Sequence, residues 1–427
     1  MKKYFFIVLS LVLFSNLFSQ GYWTRLNSPT YQKLEKLFCI DSLNCWAAGD
    51  SGLIIHTSNG GVNWEIQNSE VSNRIQDIFF LNHNLGWAVS TRFDTIAGSY
   101  IIKTTNGGKV WEKEFFNVEN KFFQTIYFLD SLNGWVGGGP SQSFYGTKDG
   151  GLTWNIPRFD SSNYSGLPVL KYAFFSKQYG FACGGRIDLM NVIWKTTDAG
   201  NSWTTKNICC EPSRDLYFID SLNIVGVGGD YEYGTAIART VDGGENWIYD
   251  LPGYFGVATA LSFRKDNEAW ATLGYERKFI ISTDSAKTWS DIKTFDNAAI
   301  LDIVFTDSSH GFAVGDSGVI LKYIFDTPSS LIENYSEIPK SIQLFQNFPN
   351  PFNPLTRIQF TINSDQFVSL NIFNSLGEKI TVLINENLKS GLHSKLFTVD
   401  PALPSGVYFY QLIIGSFTAT KKMILLR

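Results

Sequence analysis

Between residues 22 and 325 the chain is written in short runs of β-forming residues separated by polar turns. One kind of run starts as Asp77-Ile-Phe-Phe or Asp302-Ile-Val-Phe, and a turn such as Asp130-Ser-Leu-Asn follows it. Gly134-Trp-Val-Gly and Gly311-Phe-Ala-Val-Gly make a second run; Ile101-Ile-Lys-Thr and Ile320-Leu-Lys-Tyr make a third. The third run leads into an Asn-Gly-Gly or Asp-Gly-Gly turn, and a Trp then opens a fourth. Asn-Gly and Asp-Gly between strands are strong hairpin signals, because the central turn positions need positive φ.

This turn recurs at 57–64, 104–111, 147–154, 196–203, 240–247 and, in degraded form, 282–289. Its acceptor and Trp positions are Asn59 and Trp64, Asn106 and Trp111, Asp149 and Trp154, Asp198 and Trp203, Asp242 and Trp247, and Asp284 and Trp289. The Trp spacings are 47, 43, 49, 44 and 42. A period in the forties fits a propeller blade or a two-helix repeat, and four short antiparallel strands per repeat decide for the blade. A seventh copy, at about 299–325, lacks its last strand. Tyr22-Trp23-Thr24-Arg25-Leu26 has the pattern of that strand, so the N-terminal segment is predicted to complete the seventh blade and close the ring.

Lys2 and Lys3 precede an apolar run from 4 to 18, the pattern of a secretory leader (1–19) cleaved near Ser19–Gln20. No later segment is long and apolar enough to span a bilayer as a helix. Export permits disulfides: Cys39 and Cys45 flank a hairpin turn and can pair across it. With Cys183, Cys209 and Cys210 the total is odd, and buried free thiols are the expectation. Residues 326–341 carry no period and read as a linker after a propeller at 20–325. From 342 to 427, strands of period two (Ile358/Phe360/Ile362, Val368/Leu370/Ile372, Val407-Tyr-Phe-Tyr-Gln-Leu) predict a small β-sandwich. The predicted class is all-β: a seven-bladed β-propeller followed by a small C-terminal β-sandwich.

The turns resemble the Asp-box (BNR-like) turns of sialidases. The whole repeat, with its Gly-Trp-Ala-Val-type second strand, looks most like the propellers of photosystem II assembly and stability factors. In such families the Asp-boxes are structural and remote from the ligand face, which the resemblance implies here too. The C-terminal segment resembles the type IX secretion system C-terminal sorting domain. The matching elements are Asn347-Phe-Pro-Asn-Pro-Phe-Asn-Pro354, Ile372-Phe-Asn-Ser-Leu-Gly377, Ser405-Gly-Val-Tyr-Phe-Tyr and the closing Lys-Lys-Met-Ile-Leu-Leu-Arg. That resemblance implies handling of 342–427 by the secretion machinery, with release from the cell or attachment to its outer surface.

Composition narrows the function. With 35 basic and 39 acidic residues, the net charge of −4 lacks the basic footprint of a nucleic-acid binder. Four His, five Cys and no His pair at helical spacing or Cys-x-x-Cys give no metal site and no cofactor expectation. Blades one and seven carry a minimal Gly-Asp-Ser-Gly second–third loop (49–52, 315–318); the middle blades carry longer ones. Arg92, Asp94, Tyr145, Arg186, Asp188, Asp230, Tyr231, Tyr233, Tyr275 and Arg277 in those loops form the expected recognition rim, on the face opposite the Asp-boxes. Lys36, Asp77, Thr125, Lys171, Asp215, Ala260 and Asp302 occupy one repeat position and are expected to line the channel. The leading expectation is a non-catalytic exported propeller that binds an extracellular protein or glycan. The alternative is a secreted carbohydrate-active hydrolase, sialidase-like or glucanase-like, using Asp77, Asp215 and Asp302 as acid–base carboxylates.

Overall fold

A computed structural model describes residues 21–93, 97–116, 119–139, 144–160, 166–325, 341–347, 350, 352, 355–399 and 403–425. The leader expected at 1–19, and the linker apart from Ser341, lie outside these residues. The chain divides into two compact units, one up to Phe325 and one from Asp326.

The first unit contains seven antiparallel sheets in chain order, each beginning with its innermost strand. Blade 1 runs Leu34–Cys39, Cys45–Gly49, Ile54–Thr57 and Glu65–Gln67. Blade 7 holds Ile300–Phe305, His310–Gly315 and Ile320–Ile324, and its fourth strand is Tyr22–Arg25 from the other end of the chain. Trp23 lies opposite Tyr323 in that pairing. Its ring, 6% exposed, packs at 5.3–5.9 Å centroid distances against Trp270, Phe279, Phe305 and Tyr323. The closing strand is therefore held by backbone pairing and by an aromatic cluster that spans blades 6 and 7.

The Asp-box turns share one hydrogen-bond pattern. Thr57 Oγ1 donates to Asn59 Oδ1 and accepts from Gly61 N–H, while Asn59 Oδ1 accepts from Asn63 N–H. The same three bonds recur with Thr104, Asn106 and Val110, and with Thr240, Asp242 and Asn246. Gly60, Gly107, Gly150 and Gly243 supply the positive φ of the turn; Ala199 and Ser285 adopt it without being glycine.

Blade 3 departs from the predicted pattern. Its fourth strand reduces to one bridge, Gly146 with Asn155. Pro157 follows two residues later and has no N–H to extend the ladder. Arg158–Phe159 instead crosses to blade 4 and pairs in parallel with Ser202 and Trp203, making that sheet five-stranded. The cysteines also differ from expectation. Cys39 bonds Cys45 across the hairpin, Cys209 bonds its neighbour Cys210, and only buried Cys183 stays a thiol.

The second unit is a sandwich of two sheets. One orders Gln343–Leu344, Leu355–Ile362 and Gly391–Thr398; the other orders Lys379–Leu388, Gln366–Phe373, Gly406–Ile414 and Phe417–Leu425. Ile358, Phe360, Ile362, Val368, Leu370, Ile372, Tyr410 and Leu412 fill the space between them, each at every second strand position.

Two stability predictions follow from the ring. Trp23→Ala should cost about 3–5 kcal/mol in chemical denaturation; a loss below about 1 kcal/mol would mean that closure does not depend on this strand. Ala199→Gly should stabilise the fold by about 1 kcal/mol by relieving the left-handed backbone of its turn, and a destabilised variant would refute that account.

Candidate functional site

The innermost strands decide what faces the channel. In six blades this strand carries one extra residue relative to its partner: the register shifts between Leu34 and Lys36, Ile75 and Asp77, Phe123 and Thr125, Val169 and Lys171, Ser213 and Asp215, and Ile300 and Asp302. The extra residues are Glu35, Gln76, Gln124, Leu170, Arg214 and Leu301. A bulge of this kind re-aims side chains, so two successive residues can serve one opening instead of alternating between faces. All six extra residues, with Thr259 of blade 6, line one cavity of about 320 Å³.

Lys33, Lys36, Arg74, Gly274, Tyr231 and Tyr275 complete that cavity. Tyr231 and Tyr275 come from second–third loops, which places the opening on the face opposite the Asp-boxes. Its charge is one-sided: Lys33, Lys36, Arg74 and Arg214 against Glu35. Glu35 is 8% exposed and is shared by Lys33 (2.5 Å) and Arg74. Arg214 has no acidic partner among the described residues, and its buried Nε has no hydrogen-bond partner there. Burial lowers the pKa of Arg214 and of Arg74, against small opposing contributions from Tyr231 and Tyr275 respectively. Both side chains stay cationic at any physiological pH.

The predicted channel ring follows these extra residues along the same strands, and its Lys36 also lines the cavity. Asp77 accepts Ile78 N–H on one oxygen and Ile126 N–H of blade 3 on the other, at 3.0 Å each. Asp215 does the same with Leu216 and with Leu261 of blade 6, and Asp302 with Ile303 and with Leu37 of blade 1. Each carboxylate thus staples its own inner strand to the next blade. Each of these oxygens accepts one backbone N–H, a structural use of the three aspartates. Lys171 approaches Asp215 at 3.8 Å. Burial alone would lower the Lys171 pKa, but Asp215, Asp77 and Asp302 together raise it. Burial pushes Asp302 up to about 6, against the pull of Lys36 and Lys171.

The rim residues divide into separate groups. Tyr231 and Tyr275 belong to the channel mouth. Tyr145 does not reach the rim: its strand begins at Phe144, and its ring is 7% exposed against Phe116 and Phe123. Arg92 lies over the Phe115 ring at 4.0 Å within its own blade. Tyr233, Arg186 and Arg277 are exposed and lie outside the cavity. Asp94 is outside the described residues. Asp188 and Asp230 join Glu211, with one oxygen of each within 4.8 Å of the others. Asp230 accepts Glu232 and Tyr233 N–H, and Glu211 accepts Asp188 N–H. Burial, then Asp230 and Asp188, raise the Glu211 pKa. Among the described residues this is the group whose oxygens could hold a hard divalent cation.

Sequence reasoning missed Lys33, Arg74 and Arg214. For Arg214 the available signal was a polar residue immediately before a ring position, as also in Gln76-Asp77 and Gln124-Thr125, where simple alternation would send one inward and the other away.

The raised Asp302 pKa predicts a pH dependence. Between about 3.8 and about 6 the folded protein holds a proton that the unfolded chain has released, so this group's contribution to stability falls as pH rises through that window. Denaturation at pH 7 and pH 4.5 should therefore show wild type gaining relative to Asp302→Asn on acidification. Parallel curves at both pH values would contradict the assignment.

Comparisons with known proteins agree with this geometry. Residues 62–169 and 249–324 match the family model described as photosynthesis system II assembly factor YCF48. Residues 346–426 match the secretion system C-terminal sorting domain. Photosystem II assembly lipoproteins Ycf48 of Trichormus variabilis and of a Nostoc species are each 35% identical over 65 residues, 15% of this chain. The chain spans 19% of the length of these curated relatives. Among solved structures, a YCF48 bound to a D1 peptide superposes with TM-score 0.56 at 20% identity, covering 71% of this chain and 97% of that one. YCF48 from Cyanidioschyzon merolae gives 0.55 at 19%, covering 71% and 98%. Virginiamycin B lyase from Staphylococcus aureus gives 0.58 at 12%, covering 72% and 100%. At these identities the structural likeness establishes the propeller fold and no activity. The matches and the geometry together show a seven-bladed β-propeller similar to the YCF48 assembly factors, followed by a segment that matches the secretion system C-terminal sorting domain.

Proposed function

We propose that this protein, after loss of a leader at 1–19, is exported by the type IX system to the cell surface or medium. There its propeller binds an acidic segment of a partner protein at the channel mouth, without catalysing a reaction. The sorting-domain match carries the export half of the reading. The observation that carries the binding half is the one-sided charge of the mouth: four cations, one carboxylate, and an arginine whose buried Nε is unpartnered. A carboxylate or similar anion supplies what Arg214 lacks, and a planar guanidinium suits that pairing. Tyr231 and Tyr275, 58% and 53% exposed, offer flat apolar surface beside the charges. A solved YCF48 carries a peptide, which favours a peptide over a glycan as the ligand class here.

The test uses the mature chain and a labelled decaglutamate peptide, with a neutral Gly-Ser peptide as control. Decaglutamate should bind with an affinity that falls with salt. Arg74→Gln with Arg214→Gln should weaken it at least about ten-fold and flatten the salt dependence. Unchanged affinity in the double variant would remove the mouth as the site. Binding of a polyuronate in place of the peptide would make the partner a glycan.

A further inference from the structure

The sorting domain leaves a β-edge half covered. Ile424 N–H donates to Asn350 Oδ1, Ile424 C=O accepts from Phe352 N–H, and Lys422 C=O accepts from Gln346 Nε2. Ile424 and Lys422 therefore turn their backbone groups away from the neighbouring strand Gly406–Ile414. The pairing of Phe417–Leu425 with that strand is continuous from Ile414↔Phe417 to Gly406↔Leu425. Backbone direction alternates along an unbroken antiparallel ladder, so Thr420 and Thr418 also point N–H and C=O outward. Neither has a backbone partner among the described residues beyond that strand.

The clasp itself is firmly seated. Tyr410 is fully buried; its hydroxyl donates to Phe345 C=O and accepts Asn347 N–H, and Asn347 Nδ2 donates to Thr356 Oγ1. Gln346, Asn350 and Phe352 thus contact the last strand at Lys422, Ile424 and Leu425, the last through a parallel bridge. The other edge of this sheet is managed differently. Lys379–Leu388 meets its neighbour through two register shifts, which bend an edge away from further pairing. Gly391–Thr398 in the second sheet is regular, but among the described residues no segment pairs with its outer side. The terminal strand is the edge that already takes a backbone hydrogen bond and a bridge from Phe352, while Thr418 and Thr420 stay exposed. Thr418 and Thr420 are β-formers with exposed side chains, and Lys421 and Lys422 follow.

We infer that the outward backbone groups of Thr418 and Thr420 are where a β-strand of the export machinery pairs with the sorting domain, extending the edge that the Asn347–Phe352 motif begins. Recognition is by main-chain hydrogen bonds, with Lys421 and Lys422 favouring a strand that carries acidic residues.

Proline at an outward-facing edge position removes one N–H from the edge and none from the internal ladder. In a host that carries the secretion system, full-length Thr420→Pro and Thr418→Pro should fold yet show a secreted fraction reduced at least ten-fold. Thr420→Ala, which keeps the N–H, should be secreted normally. Normal secretion of both folded proline variants overturns the inference. Amide exchange of the wild-type chain gives an independent reading: Thr418 and Thr420 amides should exchange fast in the purified protein and slow on membranes containing the machinery. Unchanged exchange on those membranes overturns the inference, as does a wild-type dimer that Thr420→Pro dissolves, because the edge would then belong to a second copy.

Discussion

Everything the propeller offers depends on pairing its first described strand with its last. Tyr22–Arg25 and Ile320–Ile324 are the two ends of the first unit, and their register fixes the ring at seven sheets. Without that pairing the chain would be an open arc with an exposed edge at each end. The Trp23 ring shares the aromatic cluster of blades 6 and 7, so backbone pairing and apolar burial act at the same seam. Asp302 adds a third tie at this place, because it binds Leu37 N–H of blade 1 from blade 7. Closure is thus distributed over the outer edge, the sheet faces and the channel wall.

The bulges in the inner strands turn this closed scaffold into a site. One extra residue in six of the inner strands brings a second set of side chains, most of them polar, to the axis. The ring residues Asp77, Asp215 and Asp302 make inter-blade hydrogen bonds. The second set, with Gln76, Gln124 and Arg214, is left to meet what enters. Three ring carboxylates accept backbone N–H across blade boundaries with Lys171 beside them, whereas Arg214 at the opening has no acidic partner among the described residues.

Much of the fold was legible because its signals are local. An Asp-Gly-Gly turn needs positive φ wherever it occurs, and a missing fourth strand at one end with a spare strand at the other leaves a single economical solution. Blade 3 was harder. Pro157 was visible, but its effect depends on which N–H the ladder needed there, and that is a tertiary fact. Tyr145 was read as loop because its strand starts one residue earlier than the turn residues suggest. Arg214 was hidden by the assumption of strict alternation, which a bulge breaks. The adjacent Cys209 and Cys210 carry no spacing signal for a bond between neighbours, and none was expected.

The two units use opposite solutions to the same physical problem. A strand edge is a row of unsatisfied donors and acceptors, and the propeller removes two of them by pairing its first described strand with its last. The sandwich cannot close on itself. Gln346, Asn350 and Phe352 cover one end of its terminal strand, and the outward backbone groups at the other end have no backbone partner among the described residues. Side-chain recognition is specific to one ligand, whereas main-chain recognition ignores most of the sequence it binds. A protein that carries both can change its mouth residues for a new partner while its export signal, resting on backbone geometry and a short clasp, stays as it is.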